Sequence, residues 1–69
     1  MDTADRLRQL IQSLGLKDKA FADSIGIKRA FLSNILNRVC GLPDARAEII
    51  CTKYGVNKAW LLYGEGDAF

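Results

Sequence analysis

Gly15, Gly26, Gly55 and Gly64 each follow a short apolar set with helical spacing. This punctuation limits what the chain can fold into more than any other feature. Leu7, Leu10, Ile11 and Leu14 fall at i, i+3, i+4 and i+7, the stripe of one buried helix face. Asp2 or Thr3 can cap the start of that helix, and Gly15 ends it. A second helix is predicted from about Asp18 to Ile25, with Ala20, Phe21, Ala22 and Ile25 inward and Gly26 as its stop. Only Ile27 and Lys28 separate it from a third, Arg29 to Leu36, whose inward set is Phe31, Leu32, Ile35 and Leu36. Residues 37–43 read as a loop. Pro43 suits the first turn of a fourth helix, or Asp44 caps it. Ala47, Ile50, Cys51 and Tyr54 repeat the helical stripe, and Gly55 ends it. Asn57 caps a short fifth helix through Trp60, Leu61, Leu62 and Tyr63, ended by Gly64. The chain has no alternating run rich in Val, Ile and Thr, so the expected class is all-α with five helices. The tail from Gly64 to Phe69 is the one part expected to fray.

A chain of 69 residues forms one small domain. Such a chain buries only about 60% of its unfolded surface and depends on tight helical packing, a staple or a partner. Cys40 and Cys51 are the only candidates for a staple, and with no histidine in the chain they do not suggest a zinc site. They read as small apolar residues in a reducing cytoplasm, with a disulfide between them left open. No residue set suggests a cofactor, a small-molecule substrate or catalysis: histidine is absent, and neither a serine–base pair nor a carboxylate pair has motif spacing. No leader peptide or membrane-spanning run is visible, so a cytoplasmic protein with no membrane partner is expected.

The net charge is only +2, but it is unevenly placed. Residues 17–38 hold five basic residues (Lys17, Lys19, Lys28, Arg29, Arg38) against Asp18 and Asp23, while the remainder is slightly acidic. That concentration has the form of an electrostatic footprint for phosphates. Two short helices joined by a tight turn at a glycine suggest a helix-turn-helix over about residues 18–36. Ala22 gives a small crossing point, Gly26 gives positive φ, and Ile27 fills the corner. Leu32 and Ile35 face the core, which leaves Arg29, Ala30, Ser33, Asn34 and Asn37 outward. A major groove about 12 Å wide admits such a helix.

The segment GLKDKAFADSIGIKRAFLSNILNR, residues 15–38, resembles the helix-turn-helix of lambda-repressor-like domains, also called Cro/C1-type or XRE-type. The segment ICTKYGVNKAWLLYGEG, residues 49–66, is similar to the ending of phage-type members. The resemblance spans Leu7 to Phe69. It implies a five-helix lambda-repressor-like domain that binds a double-stranded DNA operator as a homodimer and acts as a transcriptional regulator. It also implies base contacts from Arg29, Ala30, Ser33 and Asn34, and phosphate contacts from Lys28 and Asn37. Arginine suits guanine, asparagine suits adenine, and an alanine methyl can touch thymine. Lys17, Lys19 and Arg38 would add phosphate neutralisation. Leu62, Tyr63 and Phe69 are candidates for a dimer contact, with Trp60, Phe21 and Phe31 assigned to the core.

The chain departs from the family pattern at three places. Lys17 and Asp18 stand where the family has Ser or Thr followed by Gln, so Asp18 is expected to cap the second helix instead. Leu36-Asn37-Arg38 stands where many members have Glu-Asn-Gly, making Leu36 either core or a partner contact. The proline before the fourth helix falls one residue late, at Pro43. Asp18 and the low net charge keep a second reading open. In it, an antirepressor-like or antitoxin-like interaction module has kept the fold without DNA binding.

Overall fold

A computed structural model describes residues 1–69 as five α-helices and no strand. They are α1 (Thr3–Ser13), α2 (Asp18–Ser24), α3 (Arg29–Leu36), α4 (Asp44–Tyr54) and α5 (Lys58–Tyr63). No helix is long and apolar enough to cross a membrane. The helical stripes converge on one core built around Leu7, Leu10, Phe21, Leu32, Ile50 and Leu61. Phe31, Trp60 and Leu62 pack against it while only partly buried. Leu36 is core, which closes the alternative of a partner contact. Ala20, expected inward, is exposed, because the inward side of seven-residue α2 is filled by Phe21 and Ala22.

Helix starts differ from expectation in chemistry more than in position. Asp2, not Thr3, caps α1: its carboxylate accepts from the Asp5 amide at 2.9 Å, and Asp5 reaches back to the Asp2 amide in a capping box. Asp18 does not cap α2. Lys17 holds the cap position without a side-chain bond, and Asp18 sits in the first turn, where its charge favours the helix dipole. Asp44 is likewise in the first turn of α4, after Pro43 at the cap. Asn57 caps α5 as expected, accepting from the Ala59 amide at 3.1 Å.

Turns and side-chain bonds lock the helices together. Between α2 and α3 the chain reverses at Gly26, whose φ is +74°, and the Ile27 amide donates back to the Ala22 carbonyl at 3.0 Å. Ala22 and Ile27 are both buried, so the turn rests directly on the core. Phe21 of α2 stacks on Tyr54 of α4 at 5.6 Å between centroids, and the Tyr54 hydroxyl shares a hydrogen bond with Ser24. Lys58 at the start of α5 pairs with Glu48 at 2.6 Å and Asp44 at 3.3 Å, tying α5 to α4.

The tail is not free, contrary to expectation. Its Ala68 carbonyl accepts from the Asn57 amide at 2.8 Å, which returns the chain to the start of α5. Cys40 and Cys51 are both free thiols, half-buried, and burial raises the Cys51 pKa.

Candidate nucleic-acid interface

One side of α3 is bound into the core through Leu32, Ile35 and Leu36, all buried. The helical period then fixes what faces out. Arg29, Ala30, Ser33 and Asn34 are all exposed on the surface left over. Asn37 extends that surface past the helix end, with its side-chain amide donating to the Ser33 hydroxyl at 3.2 Å.

The basic residues gather at the start of this helix. Lys28 occupies the cap position of α3 and forms no capping bond, leaving the first-turn amides of α3 without a side-chain partner. Lys17, Asp18, Lys19 and Arg29 together line an open depression of about 450 Å³. The fold thus brings the α2 start beside the α3 start. Lys17, Lys19, Lys28 and Arg29 are exposed and make no ion pair; the ion pairs of the molecule lie elsewhere. Asp18, half-buried, is the one acidic group within this depression.

Arg38 is the one basic residue expected at phosphate that forms ion pairs within the molecule. Its guanidinium is engaged inside the molecule: Nε donates to Asp2 at 2.6 Å, and Nη2 donates to Asp2 at 3.1 Å and to Asp5 at 2.7 Å. The physical reason is the proximity of the α3 end to the α1 start, where the capping pair presents two carboxylates. The hydrogen bond from Arg38, followed by that from the Asp5 backbone, lowers the Asp2 pKa to about 2. The same pairing raises that of Arg38.

Arg6 is the buried charge that sequence reasoning missed. Its Nε donates to the Leu61 carbonyl at 2.9 Å, Nη2 to the Leu62 carbonyl at 3.2 Å, and Nη1 to the Met1 carbonyl at 2.6 Å. It therefore satisfies carbonyls in the last turn of α5, where a cation is favoured. Gly64 makes room for it: φ there is +74°, and a Cβ would come within 3.0 Å of Arg6 Nη1. No local pattern signals this role, because the α5 carbonyls lie more than fifty residues away along the chain. Among the residues expected at a dimer contact, Tyr63 and Phe69 are exposed and Leu62 is half-buried against the core.

Comparison with protein-family models and with curated proteins finds no match for this chain.

Proposed function

We propose that this chain is a sequence-specific double-stranded-DNA-binding transcriptional regulator of the phage-repressor kind, with α2 and α3 as its helix-turn-helix. The observation that carries the reading is the exposed face of α3. Arg29, Ala30, Ser33 and Asn34 lie outward there, while the opposite face is buried and unpaired lysines rim the helix start. In this reading α3 enters the major groove. Arg29 reads a guanine edge, Asn34 an adenine edge, and Ala30 and Ser33 contact the bases between. Lys17, Lys19, Lys28 and Asn37 hold phosphates and fix the register. Two copies would bind half-sites about one helical turn, roughly 34 Å, apart, with Tyr63, Phe69 and Leu62 as candidates for the contact between them.

Selection of bound duplexes from a random pool tests the proposal. A regulator of this kind enriches a two-fold symmetric site, and its affinity for that site falls steeply as salt rises. Enrichment of no sequence would defeat it.

Asp18, set among Lys17, Lys19 and Arg29, is the observation that favours the second reading, an interaction module. It weakens the local field that phosphates would meet. A gel shift against genomic fragments at low salt separates the readings: a retarded fragment supports DNA binding, and none supports the interaction module.

A further inference from the structure

We propose that Asp2 and Asp5 act as an internal stand-in for DNA phosphate, holding Arg38 in competition with the duplex backbone. The inference rests on the DNA-binding reading above and adds a control element to it.

The first observation is backbone conformation. Arg38 has a φ of +63° and is the only residue other than glycine with positive φ. An L-residue is disfavoured there, and glycine is the usual occupant. The carboxylate grip described above shows what this arginine's side chain does in return. Three donated hydrogen bonds reach two carboxylates that already cap α1.

The second observation is position. Arg38 directly follows Asn37, whose side chain lies along the exposed α3 face through its bond to Ser33. A guanidinium carried on this backbone starts from the edge of the surface proposed to meet DNA. It is nevertheless drawn back to the N-terminus of α1, the positive end of that helix's dipole, where a cation is unwelcome on its own. Asp2 and Asp5 make the placement favourable, so neutralising them removes the attraction and leaves the dipole to repel Arg38.

The third observation concerns strength. Arg38 and both carboxylates remain about half exposed, with side-chain exposures of 53%, 52% and 45%. Pairs so open to solvent are weak. Neutralising the two carboxylates can therefore release Arg38 without disturbing the core, and while the pairs stand they withhold it from phosphate.

The test compares the parent protein with D2N/D5N, R38Q and D2N/D5N/R38Q. Each is titrated with the duplex that the parent enriches and with a mixed-sequence duplex, across a salt series. Asparagine keeps the capping role of Asp2, and circular dichroism checks that helix content is retained. The expected result is that D2N/D5N binds several-fold tighter at low salt. Its log K against log salt should be steeper by about 0.9, the signature of one more phosphate neutralised. Adding R38Q should remove the gain and the extra slope, while R38Q alone changes little. A gain that survives R38Q would show that simple loss of negative charge is responsible and would overturn the proposal. So would D2N/D5N binding no tighter than the parent. Failure of the underlying reading looks different: the parent then shows no preference for any sequence, whereas the latch is judged by whether the gain depends on Arg38.

Discussion

Arg29 and Arg6 show how one side-chain type serves opposite ends at the scale of single residues. Arg29 is exposed at the first position of α3 with no internal partner. Replacing it with alanine removes nothing from the fold, so stability should hold while specific binding weakens. The expected loss is about 1–3 kcal/mol, with relaxed preference at one base position. A binding isotherm against site variants measures both; unchanged preference at every position would remove Arg29 from the reading set. Arg6 is buried and spends its donors on main-chain carbonyls of Leu61, Leu62 and Met1. Arg6→Met keeps much of the stem and deletes the fork, leaving those acceptors short of partners. Urea unfolding should show a loss of about 2–4 kcal/mol, since bonds from a charged donor to buried groups are the costly ones to break. A loss under about 1 kcal/mol would mean that water replaces the guanidinium, against its assigned role.

The five helices, and the glycine stops of four of them, were legible because each depends on residues within a few positions of one another. Leu7 to Leu14 and Ala47 to Tyr54 are stripes of this local kind. The outward exposure of Arg29, Ala30, Ser33 and Asn34 was legible for the same reason: once Leu32 and Ile35 face in, the helical period leaves no choice. What was not legible depends on distant partners. Arg38 meets Asp2 and Asp5 across more than thirty residues, and no spacing rule connects them. The cap at α2 was misread because Asp18 can cap or stabilise a first turn, and sequence alone does not choose. The turn between α2 and α3 offers a clean test. Nothing lies within 4 Å of a Cβ at Gly26, so Gly26→Ala isolates the cost of its positive φ. Thermal unfolding should show a loss of about 1–2 kcal/mol; no loss would mean the turn relaxes to another conformation. The α1 start adds a pH dependence. Asp2 has a folded pKa of about 2, against 3.8 for the unpaired carboxyl. A lowered value stabilises the fold above 3.8, and that contribution is lost as pH falls through about 2. An NMR titration should find the Asp2 carboxyl near 2 in the parent and shifted toward 3.8 in R38Q; equal values in both would exclude Arg38 as the cause.

Across the whole molecule, charge is sorted more sharply than the net +2 suggests. Arg38 is matched to Asp2 and Asp5, Lys58 to Asp44 and Glu48, and Arg6 is buried against carbonyls. Lys17, Lys19, Lys28 and Arg29 remain unpaired at the meeting of α2 and α3, next to the outward face of α3. A small excess can therefore act as a local field, because four basic groups gather there with Asp18 as the one acidic group lining the depression. The proposed function rests on this sorting joined to a helix whose far side is locked in the core. The most direct measurement is amide chemical-shift mapping while the protein is titrated with the duplex that it enriches. The largest changes are expected at residues 17–19 and 28–37, with α4 and α5 little affected outside any contact between copies. Changes concentrated on the outer face of α4, with residues 28–37 silent, would contradict it.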